Sequence, residues 1–242
     1  MKKALSLIMV FAIAGICSTA AHAADKYVSG SIGISWINDI DAEVKRNSES
    51  QKGATFEIGS GVTFLGAAGC DYGDYRVEAE LGYQSGDIDT MQKIRGPKRG
   101  QGDGPPAYDI NGDISLYSLM LNGYYDIALG KGVELSPYIG AGFSHILLES
   151  NEALFEYDPE PYNNDYEAVA NTEFDATAFS YQAGLVLAIP VADNIMLDAR
   201  YRYFATLDFS VTDTVEDYDT ETNKYTMNVE SHSMLLGLRV GL

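Results

Sequence analysis

The chain has 242 residues, with 35 Asp and Glu against 16 Lys and Arg and a formal charge of −19. So acidic a balance lacks the clustered cations that binding to nucleic acid or to an anionic surface demands. Phosphate-cradling glycine loops, CxxC and HExxH are all missing, so metal catalysis has no support and no cofactor is expected.

Residues 1–23 read as a cleaved signal peptide. Lys2 and Lys3 form a positive start, Ala4 to Ile16 is an apolar run, and Ala21-His22-Ala23 offers small residues where a signal peptidase cuts. Cys17 follows Ile16 rather than the small residue a lipoprotein box needs. The segment holds two of the 16 basic residues and none of the 35 acidic ones, so the mature chain, 24–242, carries 14 against 35, or −21. It keeps one cysteine, Cys70, and therefore no intramolecular disulfide. After residue 23, no stretch approaches the roughly 20 continuous apolar residues of a membrane helix.

From Val28 onward the chain shows period-two alternation, the mark of strands with two unlike faces. Val28, Ile32, Ile34 and Trp36 alternate with Gly and Ser. Phe56, Ile58, Val62 and Phe64 form the second set, and Tyr75, Val77, Ala79, Leu81 and Tyr83 the third, against Arg76, Glu78, Glu80 and Gln84. The fourth sets Tyr117, Leu119, Leu121 and Tyr125 against Ser118, Met120, Asn122 and Tyr124, and the fifth has Ile139, Ala141, Phe143 and Leu147. The sixth runs from Phe179 to Leu187, the seventh sets Ile195, Leu197, Ala199, Tyr201 and Tyr203 against Asp198, Arg200 and Arg202, and the eighth runs from Met234 to Leu242. Each is about 10 residues or longer, enough for a tilted strand to cross a bilayer.

Short turns follow the even strands, at 70–73, 130–132 and 190–194. Long segments, expected to be extracellular loops, follow the odd ones at about 38–53, 86–112, 149–173 and 209–226. That alternation predicts an all-β, eight-stranded, antiparallel, up-and-down transmembrane β-barrel with both termini on the periplasmic side. A soluble barrel would share the alternation with its faces reversed. Against it stand the Gly, Ser and Ala of the polar sets, which suit a cramped lumen. Aromatics near the strand ends (Trp36, Phe56, Tyr75, Tyr83, Tyr117, Tyr125) fit interfacial girdles.

Across 24–242 the chain resembles the OmpA-like and opacity-type family of small outer-membrane surface proteins. The alternation, Gly140-Ala141-Gly142-Phe143 and the closing Leu236-Gly237-Leu238-Arg239-Val240-Gly241-Leu242 carry the likeness. The resemblance implies a Gram-negative outer membrane, contact with its lipopolysaccharide and phospholipid, and a C-terminal strand read by the barrel-assembly machinery. Family members typically end in Phe, where this chain has Leu242.

Several ionisable residues fall on the polar faces, and an eight-stranded barrel is only wide enough for its side chains to fill. Strands three and seven lie on opposite walls, so Glu78 and Glu80 are expected to pair with Arg200 and Arg202. Asp198 and Glu57 are expected to join them, with Arg239 near the foot of the eighth strand. The network reads as a structural plug, with the ion gate implied by the family as the alternative.

The loops are acidic. Residues 149–175 hold nine acids and no base, interleaved with Tyr157, Tyr162 and Tyr166. The second loop differs, with Lys93, Arg95, Lys98 and Arg99 before a Gly/Pro-rich tip. Tyr among flexible polar residues is a composition that recognition loops favour, so these are the candidate contacts for an extracellular partner. EF-hand spacing is absent. Ser144-His145 and Ser231-His232-Ser233 are the only Ser–His neighbours, the sole hint of a lipid-A-modifying enzyme, and neither has a clear orienting carboxylate. The leading expectation is a non-enzymatic surface protein of adhesin or surface-antigen type, with a narrow low-conductance porin as the alternative.

Overall fold

The computed structural model describes residues 24–46, 49–93, 107–150, 172–215 and 221–242. Among them every regular element is a β-strand, and thirteen segments combine into eight staves. The first stave is β1 (Asp25–Ile37) continued by β2 (Ile40–Arg46), and the second is β3 (Glu49–Ile58) continued by β4 (Ser60–Asp71). The third is β5 (Tyr75–Lys93). The fourth is β6 (Ala107–Tyr125), with the short β7 (Ile127–Gly130) below it. The fifth is β8 (Val133–Ser150) and the sixth β9 (Thr172–Ala192). The seventh is β10 (Ile195–Thr206) continued by β11 (Phe209–Val215), and the eighth β12 (Glu221–Met227) continued by β13 (Glu230–Gly241).

All neighbours pair antiparallel, and β1 pairs with both β4 and β13, which closes the barrel. Closure leaves no sheet edge for hydrocarbon to meet, which a membrane-spanning sheet requires. The turns at one end are tight. Gly73, Gly130, Lys131 and Gly132 all have positive φ, and the Asp71 carboxylate accepts a hydrogen bond from the Gly73 amide at 2.8 Å. In outer-membrane barrels such short turns face the periplasm.

Burial decides between the two kinds of barrel. Ile32, Ile34, Phe143, Met234 and Leu236 all point outward with more than half of their surface exposed, while Arg202 and Glu80 point inward and are buried. Apolar outside and ionic inside is the arrangement for lipid, not water. The aromatics collect at two levels. Tyr75 and Tyr125 meet at 5.2 Å near the turn end, and Tyr83 and Tyr117 at 5.1 Å toward the other. Lumen glycines make room for rings: a Cβ on Gly69 would strike Tyr27, and one on Gly184 would strike Tyr138.

Toward the loop end the pattern inverts. Ile40, Phe56, Ile88, Leu116, Ile146, Ala178, Phe204 and Met227, one from each stave, belong to a single buried apolar cluster inside the wall. Asp41, Asp87, Asp113, Glu149 and Asp175 lie exposed at this end. This collar follows the rule of a water-soluble barrel, stacked on a membrane one. The breaks at 38–39, 59 and 207–208 accomplish part of the switch, because the inward positions change parity across them.

Two expectations change here. Phe56 is no girdle residue: the break at Gly59 turns it and Ile58 inward, and Phe56 is 1% exposed. Much of 38–53, 86–112 and 209–226 is strand rather than loop, because the ladders β2–β3, β5–β6 and β11–β12 continue above the girdle. Cys70 is buried near the turn end of β4, and Cys17 lies outside the described residues.

Leu236→Arg, at mid-height on the lipid face of β13, is expected to cost about 2–4 kcal/mol of stability in lipid vesicles. Urea titration of the reconstituted barrel measures it, and an unchanged midpoint would place this face outside the hydrocarbon.

Candidate functional site

The polar half of the lumen is built from side chains that alternation sends inward from opposite walls. Glu80 of β5 meets Arg200 of β10 across the barrel, with Nη1 donating to Oε2 at 2.6 Å. Arg200 also approaches Glu78, its Nη2 lying 3.8 Å from Oε1. Glu78 accepts hydrogen bonds from the hydroxyls of Tyr124, at 2.8 Å, and Tyr27, at 3.1 Å. Gln182 donates to Glu80 at 3.0 Å and to Asn122 at 2.6 Å. Tyr124 and Tyr138 stack at 4.8 Å, and Arg200 lies 5.3 Å from the Tyr138 ring centroid. Buried carboxylates held on several donors and a guanidinium make a rigid filling, since each charge meets partners in place of water.

Arg202 is different. It is 1% exposed, its guanidinium rests 4.5 Å from the centroid of the Phe204 ring, and Nε and Nη1 have no hydrogen-bond partner. It sits where the ionic lumen meets the apolar collar, so Phe204 occupies one of its sides. The four-residue network expected from the sequence thus comes together as Glu78, Glu80 and Arg200, without an ion pair to Arg202. Arg239 pairs instead with Glu134 at 3.0 Å and lies 3.7 Å from Asp198. Glu57 lies on the opposite face of β3 from the buried Phe56.

A second pair escaped the sequence reading. Arg76 grips Asp126 through Nε at 2.6 Å and Nη2 at 3.0 Å, and its guanidinium lies 4.5 Å from the Tyr124 ring centroid. Arg76 already belonged to the inward set of its strand. Asp126 comes just after the alternating run, and only the register, with Tyr75 opposite Tyr125, brings it alongside.

The two Ser–His neighbourhoods separate by strand geometry. Ser144 is buried and accepts a hydrogen bond from Ser180 at 2.7 Å, while the exposed His145 lies 3.3 Å from the Thr177 hydroxyl. Ser231 and Ser233 are buried, and His232 is on the other face, stacked with Tyr201 at 6.0 Å. Successive residues of a strand point to opposite faces, so neither Ser reaches its neighbouring His. Of the candidate loop contacts, Arg95, Lys98, Arg99, Tyr157, Tyr162 and Tyr166 lie outside the described residues, and Lys93 is fixed only as the backbone partner of Ala54.

A closed antiparallel barrel with an apolar outer band and an ion-paired interior defines an outer-membrane β-barrel protein. The family model described as the outer membrane protein beta-barrel domain matches residues 9–233, and the chain belongs to that family. It is 24% identical over 256 residues to the outer membrane protein PagN of Salmonella typhimurium, covering 98% of each chain. Among solved structures it is similar to the outer membrane protease OmpT of Escherichia coli, with a TM-score of 0.54, 11% identity, and 90% of this chain and 97% of that one covered. OprG of Pseudomonas aeruginosa gives a TM-score of 0.51 at 13% identity, covering 91% of this chain and 96% of that one. At these identities the two structures share the fold alone. The protein resides in the outer membrane of a Gram-negative cell, surrounded by its lipid.

Within the lumen, Arg200→Met and Arg202→Met should part company. The first strands two buried carboxylates and is expected to cost about 3–5 kcal/mol. The second removes a cation with few partners and is expected to be close to neutral or stabilising. Denaturant midpoints of the two variants decide it, and equal losses would contradict the assignment of Arg200 as the central cation.

Proposed function

We propose that this protein acts at the cell surface as a structural and interaction protein of adhesin or surface-antigen type, and not as a pore or an enzyme. The observation that carries this reading is the apolar collar above the ionic lumen. A ring of Ile, Leu, Phe and Met from seven staves, completed by Ala178 of the sixth, fills the barrel, and a constriction of that kind excludes water and ions. Below it the Arg200–Glu80 pair and the Arg76–Asp126 pair occupy the lumen. The described wall that rises above the lipid carries Asp41, Asp87, Asp113, Glu149 and Asp175 exposed on its outward face, and 149–175 and 209–221 are the most acidic segments of the sequence. A rigid base and a charged hydrated rim suit contact with an external partner.

The lumen pairs act in this reading as a plug. The separated Ser and His residues give a lipid-A-modifying activity no nucleophile–base contact. Both termini belong to the turn end, on the periplasmic side. The outward Met234, Leu236 and Leu238 of β13, together with the exposed Leu242, offer the barrel-assembly machinery its recognition strand. Lipopolysaccharide contacts fall to the upper aromatic girdle, where Tyr201 stacks on His232 and Tyr203 meets the same ring at a tilt.

Single-channel recording in planar bilayers tests the central claim. The refolded barrel is expected to migrate heat-modifiably on gels and to show no steady conductance. Reproducible channels would overturn the display reading in favour of a narrow porin.

A further inference from the structure

Just below the collar, one side of the lumen carries hydrogen-bond donors that the wall does not satisfy. Arg202 Nε and Nη1, Gln84 Nε2 and the hydroxyls of Ser35, Thr63 and Ser233 are all buried, and none has a hydrogen-bond partner among the described residues. They come from five consecutive staves, the seventh, eighth, first, second and third, and the register sets them side by side. Arg202 faces Ser233, and Ser233 faces Ser35. Thr63 faces Gln84 and stands two residues from Gly61, the ladder partner of Ser35. The Gln84 side chain reaches across to the eighth stave, where its Oε1 accepts a hydrogen bond from Ser231 at 3.3 Å. That contact brings its amide within two residues of Ser233.

A buried donor without an acceptor is costly, most of all on a charged group. Hydroxyls can donate or accept, but the two guanidinium nitrogens and the Gln84 amide nitrogen can only donate. The carboxylates at this level are already occupied. Glu80 is held by Arg200 and Gln182, and Glu78 by Tyr27, Tyr124 and Asn122. Glu78, Glu80, Arg200 and Arg202 sum to zero charge but are unevenly placed, with both carboxylates on Arg200 and the Arg202 cation left among amide and hydroxyl groups. Water would bring lone pairs to this arc, yet each water also brings two hydrogens that need acceptors of their own. A monoatomic anion accepts from several donors at once, brings no hydrogens and answers the unpaired cation.

We propose that the lumen binds one halide-sized anion, such as chloride, in this arc, held by Arg202, Gln84, Ser35, Thr63 and Ser233. The site has a roof and an open side. Phe204 covers one side of the Arg202 guanidinium at 4.5 Å, and Leu116, the ladder partner of Gln84, belongs to the collar. The ladder partners of Ser35 and Arg202 in the next staves are Gly61 and Gly184, so two inward positions at this level carry no side chain. An interior that eight staves leave only wide enough for side chains suits a single atom better than a sulfate or phosphate. The collar bars the way out above, so the ion completes the plug and does not cross it.

The test is diffraction from the full barrel refolded and crystallised in sodium bromide, beside urea midpoints of the barrel in lipid vesicles. An anomalous bromine peak in contact with Arg202 and Ser233 is expected, and the wild-type peak is read without any variant. The midpoint is expected to rise as bromide replaces gluconate at constant ionic strength, and to follow the logarithm of bromide concentration once the site is mostly filled. Arg202→Met, the near-neutral change expected above for an unfilled lumen, should lose both the peak and the bromide dependence. Thr63→Val keeps the shape and removes one donor, and should need about tenfold more bromide for the same rise. Water in the arc without an anomalous peak would overturn the proposal, as would a midpoint that answers to bromide equally in the wild type and Arg202→Met. A peak in the crystal with no bromide dependence of the midpoint means an adventitious ion only, and overturns it too.

Discussion

Hydrocarbon offers no partner to a backbone amide, and the ladder that runs from β1 round to β13 and back to β1 is how this chain meets that constraint. Once the sheet must close, its eight staves fix a narrow interior, and the alternation of each strand sends one residue set into lipid and the other into that interior. The constraint lapses where the wall leaves the membrane. Water can satisfy a backbone group left without a ladder partner, and it is there that the hydrogen-bonded ladder between the sixth and seventh staves ends.

The interior shows what closure demands of side chains. A lumen this narrow has to be filled, and the inward parity of β5 and β10 delivers Glu78, Glu80, Arg200 and Arg202 to it. Three of them settle into a compact arrangement with Tyr27, Tyr124, Asn122 and Gln182 as donors. The fourth, Arg202, is caught against Phe204, between a region organised by charge and one organised by exclusion of water. Arg76 with Asp126 and Arg239 with Glu134 close the lower end. A filled lumen is what supports the proposal of a role at the outer rim.

The collar gives that rim its shape. In the membrane the chain is apolar outside and ionic inside; above it the chain is acidic outside and apolar inside. Both tiers run on the same staves, so the solvent around each level selects which face is buried. The described strands that rise from the lipid therefore have a core of their own, with Asp41, Asp87, Asp113, Glu149 and Asp175 exposed on their outer face.

Period-two alternation, the short and long connections and the cramped polar sets were enough to establish an eight-stranded membrane barrel, because lipid imposes a pattern local enough to be read along one strand. They also pointed to Glu78, Glu80 and Arg200, since parity and opposite walls come directly from strand number. The rest depended on register. Which Arg reaches which carboxylate, and that Asp126 meets Arg76, turns on how neighbouring strands are staggered, which no single strand encodes. The collar was missed because Ile114, Leu116, Ile146 and Leu148 continue the inward set of their strands, while the one-residue break at Gly59 reverses the facing of Phe56. Where the ladder between the sixth and seventh staves ends is a property of the closed sheet alone, since hydrogen-bond closure is decided only when strands distant in sequence are brought side by side.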